Sequence, residues 1–236
     1  IDTIAAIYAT GQKPSGTKDP FGLRRAALGL LRVAIERAVD LDLTRLINQA
    51  LAALPFAAPP DTAEAVYDYI MERLRSYYLD GDAGFEVTPE MFDAVLATRP
   101  ASPLDFHDRL LALADFLQLP DAQSLTAANK RIANILRKST EPVGSQIDAD
   151  LLRDPVELVL GEQVEAMLER TKPMFEKREY KRALTLLAAL RTAVDEFFDS
   201  VMVMDEDPAL RANRLALLGQ IQSLFMKAAD LSRLPG

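Results

Sequence analysis

Five times in this chain a small polar residue stands directly before a proline: Asp19-Pro20, Thr88-Pro89, Ser102-Pro103, Asp154-Pro155 and Asp207-Pro208. Each pair reads as a helix start. The polar side chain accepts one of the orphan backbone N–H groups of the first turn, and proline fits the first helical position because no N–H is needed there. Acids three residues after the cap, in Asp154-Pro155-Val156-Glu157 and Ser102-Pro103-Leu104-Asp105, add a capping-box or dipole contribution. Between these starts the apolar residues recur at steps of three and four. Over 20–39, Leu23, Ala27, Leu30, Leu31, Ala34 and Ile35 share a face; over 61–79, Val66, Tyr69, Ile70, Leu74, Tyr77 and Tyr78 do so. No alternating run rich in β-branched residues with hairpin turns interrupts the pattern. The chain is predicted to be all-α, a set of packed helical bundle parts.

The predicted breaks are chemical. Leu54-Pro55-Phe56-Ala57-Ala58-Pro59-Pro60 cannot be helical throughout, because three prolines remove donors and clash with the preceding turn. The polar stretch from Lys138 to Asp150, with Ser139-Thr140-Glu141-Pro142-Val143-Gly144-Ser145, reads as a connector. Pro155 opens a helical pattern that reaches Ser200, and Pro173 inside it is expected to kink or break the helix. An apolar hinge, Val201-Met202-Val203-Met204, then separates it from a last helix that restarts at Asp207-Pro208.

Composition narrows function. The 236 residues are 49% hydrophobic, enough for a sizeable core, and no run of about 18 apolar residues is present to span a membrane. With no cysteine, disulfides, thiolate metal sites and cysteine nucleophiles are excluded. A single histidine, His107, cannot assemble a histidine metal site or a histidine-centred triad, and it reads as a helix residue near two acids. The carboxylates, among them Asp2, Asp19, Asp40, Asp42, Asp61, Asp68 and Glu72, read as caps and solvated faces. A net charge of −8 opposes simple nucleic-acid binding, which needs cations to neutralise phosphates, unless they are gathered on one face.

Two segments gather them. In 127–138, Lys130, Arg131, Arg137 and Lys138 carry four positive charges without an acid, and Ala128, Ile132, Ile135 and Leu136 mark the stripe expected to be buried. In 172–182, Lys172, Lys177, Arg178, Lys181 and Arg182 are diluted by Glu176 and Glu179. Each segment reads either as a phosphate-contacting face or as an ordinary solvated one. On the last helix Arg211 is the better candidate for RNA, whereas Arg214 reads as structural, pairing with an acid or capping the hinge. Phe197 and Phe198 point about 100° apart, so at most one is available to stack on a base. Lys13, Lys18, Arg24 and Arg25 surround a helix N-terminus, which attracts anions. An RNA phosphate and a packing surface are both open there.

The order of helix, Phe197-Phe198, Val/Met hinge and Arg214-Leu215-Ala216-Leu217 resembles the DALR-type anticodon-binding domain of aminoacyl-tRNA synthetases. Four further blocks narrow the resemblance: Gly11–Val33, Arg73-Leu74-Arg75-Ser76-Tyr77-Tyr78, Asp93-Ala94-Val95-Leu96-Ala97, and Ala127–Leu136. In this order they resemble the β subunit of the bacterial heterotetrameric glycyl-tRNA synthetases. The resemblance implies the C-terminal part of a longer subunit, with which a start at Ile1 rather than Met agrees. It implies a tail of an HD-like helical domain over 1–58, a helical connector over 59–145 and the DALR-type domain over 146–236. The partners it implies are glycine tRNA, a catalytic α subunit and the rest of β, with no membrane, in the cytoplasm. ATP and Mg²⁺ would then belong to the α subunit and no cofactor to this chain. RNA contact would fall to Lys130, Arg131, Arg137, Lys138, Lys172, Lys177, Arg178, Lys181, Arg182 and Arg211. The alternative is a module that docks or braces the α subunit without reading RNA.

Overall fold

A computed structural model of the chain describes residues 1–14, 18–80, 84–140, 142–144 and 146–235. Among them are eleven α-helices, three short 3₁₀ turns and no β-strand. Ser15, Gly16 and Thr17 of the first glycine-bearing loop, and Glu141 and Ser145 of the connector, lie outside the described residues.

The chain divides into two compact units: Ile1–Phe92 with Arg99–His107, and Asp93–Thr98 with Asp108–Gly236. In the first, α1 (Asp2–Ala9), α2 (Leu23–Glu36) and α3 (Leu43–Ala52) pack on α4 (Thr62–Leu79). The six residues of α4 expected to be inward are all buried, as are Leu23, Ala27, Leu31, Ala34 and Ile35 of α2. Leu30 is half-buried. Helix α2 starts at Leu23 rather than Pro20, with Gly22 in the left-handed region (φ 64°). Asp19 still caps it, accepting from Leu23 N (2.9 Å) and Arg24 N (3.0 Å). Those bonds hold its carboxyl below the ordinary carboxylate range, the contact with Arg24 N contributing most. The N-terminus considered for an RNA phosphate is therefore occupied by the chain's own carboxylate. His107 is a helix residue, as expected, and is half-buried. Its ring stacks on Tyr78, with Nδ1 2.9 Å from the Tyr78 hydroxyl.

Helices α5 (Pro89–Leu96) and α6 (Pro103–Leu117) begin at the expected prolines. Thr88 accepts from Met91 N at 3.3 Å and Ser102 from Asp105 N at 3.4 Å. The second unit continues with α7 (Ala122–Lys138), α8 (Pro155–Glu176), α9 (Tyr180–Leu187), α10 (Arg191–Ser200) and α11 (Pro208–Met226). Helix α8 packs on α9, α10 and α11, and α7 packs on α10 and α11. Leu160, Val164, Leu184, Leu187, Phe197, Leu217 and Ile221, none more than 1% exposed, form its core.

Pro173 does not stop α8. The helix runs through it and ends one turn later at Glu176, two residues before Arg178, where the backbone turns left-handed (φ 57°). A proline this close to the C-terminus removes one bond of the ladder, and few turns remain beyond it to distort. The connector before α8 lies on glycines: a Cβ on Gly161 would come within 2.8 Å of Leu152 Cδ1, and one on Gly219 within 2.9 Å of Val143 Cγ1. Asn213 fixes the same segment, accepting from Asp148 N (2.8 Å) and donating to Asp148 O (3.0 Å).

Candidate nucleic-acid interface

The hinge between α10 and α11 is held by charges from three directions. Asp154 caps α8 by accepting from Val156 N at 2.9 Å. The Glu157 carboxylate reaches back to Arg153 N (3.1 Å) and Asp154 N (3.0 Å), closing the capping box. Its other oxygen accepts from Arg214 Nε on α11. Glu157 is fully buried and Arg214 is 8% exposed. Arg214 Nη1 then donates to the Met202 carbonyl (2.9 Å) and to Asp205 Oδ2 (2.6 Å). Arg214 thus does both things its sequence position suggested: it pairs with acids and caps the hinge. Asp205 is held below the ordinary carboxylate range, chiefly by Asp207 N and then by Arg214. Arg211 is half-buried and donates to the Asp205 carbonyl at 2.6 Å, so it also serves the hinge. The segment so fixed presents Met202 (75% exposed) and Met204 (53%) to solvent, while Val201 and Val203 are buried.

The first basic segment lies on α7. Lys130, Arg131, Arg137 and Lys138 are exposed. Ala128 and Ile132 are buried as expected, while Ile135 and Leu136 are half-buried at the end of the helix. Arg131 lies over the Phe198 ring, 4.1 Å from guanidinium to centroid. Phe197 is fully buried and Phe198 half-buried, so the outer ring of the pair carries a cation on its face, three residues before the hinge. Arg137 is held by Asn134 at 2.8 Å. Lys130 and Lys138 form no ion pair among the described residues.

The second basic segment sits elsewhere on this unit. Lys172, Lys177, Arg178, Lys181 and Arg182 are all exposed, around the turn from α8 into α9. Lys181 pairs with Asp115 at 2.9 Å and Arg182 with Glu179. The turn is anchored at the far end of α11. Lys227 lies 5.6 Å from the Phe175 ring, and Arg109, 4.7 Å from the Tyr180 ring, donates to the Lys227 carbonyl at 2.7 Å. Arg214, at the hinge, and Lys227, just past the end of α11, are 13 residues apart, about 20 Å of axis at 1.5 Å per residue. The ten cations therefore do not form one cluster. Four lie on α7, with Arg131 over Phe198, five lie around the α8–α9 turn, and Arg211 is tied into the hinge.

Spacing in the sequence gave no sign of Glu157 as the buried counter-ion of Arg214, of Asn213 as the clasp of the connector, or of Arg109 at the end of α11. Each depends on a partner 57 to 118 residues away. Among the described residues no group of three His, Cys, Asp or Glu side chains is placed to hold a metal, and no helix is long and apolar enough to cross a membrane.

The all-helical unit with its charge-latched hinge before the last helix falls within a known domain family. Residues 125–232 match the DALR anticodon binding domain, and residues 1–97 match the glycyl-tRNA synthetase beta subunit family. The chain is 45% identical over 236 residues to a protein of Marinobacter nauticus named glycine–tRNA ligase beta subunit. It is 46% identical over 235 residues to proteins of that name from Tolumonas auensis and Vibrio atlanticus. These alignments cover 99 to 100% of the chain and 33 to 34% of the relatives, so the chain spans about a third of their length. Along its whole length the chain is thus similar to one part of the glycyl-tRNA synthetase β subunit.

Proposed function

We propose that this chain is a tRNA-holding part of a glycine–tRNA ligase, which grips the anticodon arm so that the acceptor end reaches a catalytic centre on the α subunit. One observation carries the reading: the DALR match over 125–232 takes in both basic segments and the hinge. Phosphates are held by the exposed cations of α7 and of the α8–α9 turn, and unstacked anticodon bases meet the apolar edge offered by Phe198, Met202 and Met204. The −8 body repels RNA elsewhere, which confines binding to the basic segments. ATP and Mg²⁺ belong to the α subunit. Without that subunit the chain forms no glycyl-tRNA, and its setting is the cytoplasm.

A second reading is an α-subunit docking module. The net acidity and the internal pairing of Lys181 and Arg182 favour it. Binding of the chain to glycine tRNA, measured over a series of salt concentrations, separates the two. The comparators are a tRNA with an altered anticodon and the Lys177/Arg178/Lys181/Arg182→Ala variant. Anticodon recognition gives tighter binding to the native tRNA and a salt slope that shrinks in the variant, since each phosphate contact contributes about 0.7 to 0.9 to that slope. Equal binding to both tRNAs, or none at low salt, sinks it in favour of docking.

A further inference from the structure

In the first unit a cavity of about 600 Å³ opens among α1, α2 and α4, lined by Tyr8, Lys13, Arg24, Tyr69, Glu72 and Arg73. Three cations face one carboxylate there, and that carboxylate, Glu72, is paired with Arg73 Nη2. Asp19 adds a second negative charge felt at Tyr69, but its oxygens are committed to the backbone of α2. The rings of Tyr8 and Tyr69 meet at 5.3 Å, with Lys13 5.5 Å from the first and Arg73 5.8 Å from the second.

Three buried side-chain polar atoms among the described residues have no hydrogen-bond partner: the Tyr69 hydroxyl, Arg73 Nε and Thr126 Oγ1. Two of the three belong to this cavity. Tyr69 is 8% exposed, so its hydroxyl is withdrawn from bulk solvent. Native proteins keep few such groups, and a cluster of them in one polar cavity has a cause. Both are donors in the states they hold here. An arginine Nε only donates, and burial raises the Tyr69 hydroxyl above its ordinary pKa, keeping it protonated.

We propose that this cavity binds a phosphoryl group, taken from a free phosphate ester or from an RNA backbone. The wall offers donors without a matching acceptor, which suits a ligand with several acceptor oxygens and negative charge. Lys13 and Arg24 supply charge, while the Tyr69 hydroxyl and Arg73 Nε supply direction. The volume exceeds that of a bare phosphate and leaves room for an attached sugar. Both tyrosine rings are largely buried, so the site holds the phosphoryl group rather than stacking a base. The proposal is independent of the anticodon reading, which concerns the other unit.

The test is calorimetric titration of the 236-residue chain with inorganic pyrophosphate, with adenosine monophosphate and with a short single-stranded oligoribonucleotide. Saturable binding is expected, weakened about tenfold or more by Tyr69→Phe, which removes one hydrogen bond to a charged group and keeps the ring. Lys13→Ala weakens it too, with a shallower salt dependence, and serves where an Arg73 variant fails to fold. Competition by the oligoribonucleotide assigns the site to an RNA backbone. Saturation by pyrophosphate and the mononucleotide alone assigns it to a free ester. The Lys177/Arg178/Lys181/Arg182→Ala variant keeps pyrophosphate affinity unchanged, so failure of this site and failure of anticodon binding are told apart. No saturable heat with any of the three probes overturns the proposal, as does binding that Tyr69→Phe and Lys13→Ala leave unaltered.

Discussion

At the hinge of the second unit, Arg214 directs Nε and Nη1 to three acceptors, Glu157, Met202 O and Asp205. In the cavity of the first unit, Arg73 meets Glu72 with Nη2, while its Nε and the neighbouring Tyr69 hydroxyl find no partner. The ingredients are alike: an arginine largely withdrawn from solvent and a carboxylate beside it. Their state of completion differs. A satisfied buried network holds one conformation, and its removal is felt as lost stability. An unsatisfied one costs about 1–3 kcal/mol for each orphan group unless a ligand supplies the missing acceptor. The hinge is therefore a device of the fold, and the cavity is a candidate site.

The comparison is broken most directly at its strong end. Arg214→Ala leaves the fully buried Glu157 carboxylate without its counter-ion and frees the hinge carbonyl. Losing one partner of a buried pair costs about 3–5 kcal/mol, or roughly 10 °C of thermal midpoint in a chain of this length. Urea titration of the variant measures it. Pairing Arg214→Met with Glu157→Gln sharpens the point: the double variant should recover much of the loss, because no charge is then stranded. A double variant as unstable as Arg214→Ala would show that the arginine acts through its hinge bonds alone.

Next in size is the cap beneath that network. Asp154→Ala removes the acceptor for Val156 N and half of the capping box, a loss of about 1 kcal/mol. If the box also orients Glu157 toward Arg214, then combining Asp154→Ala with Arg214→Ala costs less than the sum of the two. Strict additivity would separate the cap from the latch.

How much of this was legible before the structure follows from where each partner lies in the chain. Four of the five cap-and-proline pairs open helices at the expected residue, because a cap and its acceptor are neighbours in sequence. The fifth moved three residues along, since Gly22 takes a left-handed conformation that delays the helix while Asp19 still reaches its backbone. The inward face of α4 was readable from three- and four-residue steps. Helix α11 was harder: it is buried nearly all round from Asn213 to Leu218, and a helix with no polar side carries no readable face. The role of Arg214 was open between an acid and the hinge because both partners come from elsewhere in the fold. The ten candidate cations could be named but not grouped, for the sequence does not say that one segment lies beside Phe198 and another beside Lys227. The Tyr8–Tyr69 cavity was invisible, since an orphan donor is defined by what its neighbours in space fail to offer.

A smaller effect follows from acid. Asp205 has a folded pKa below its ordinary 3.8. Its contribution to stability is therefore complete above that value and disappears as pH falls through the folded pKa. The carboxylate is accessible to solvent, so screening keeps the contribution modest. Thermal midpoints of the parent chain and of Asp205→Asn should differ at neutral pH and converge in acid. A gap that persists unchanged to the lowest pH would mean that Asp205 shapes the hinge by geometry and not by charge.

The smallest expected change is the most discriminating. Tyr69→Phe deletes a hydroxyl that bonds to nothing in the protein, so the buried orphan is removed and the ring packing is kept. Stability should stay within about 0.5 kcal/mol of the parent or rise slightly. A buried tyrosine with a satisfied hydroxyl behaves differently: Tyr67 donates to Pro100 O at 2.9 Å, and Tyr67→Phe should cost about 1 kcal/mol by stranding that carbonyl. Chemical denaturation of the two variants side by side tests the contrast within one unit and one helix. Equal losses would mean that the Tyr69 hydroxyl has a partner in solution and that the cavity is as complete as the hinge. A loss confined to Tyr67→Phe leaves Tyr69 as a donor whose acceptor comes from outside the chain.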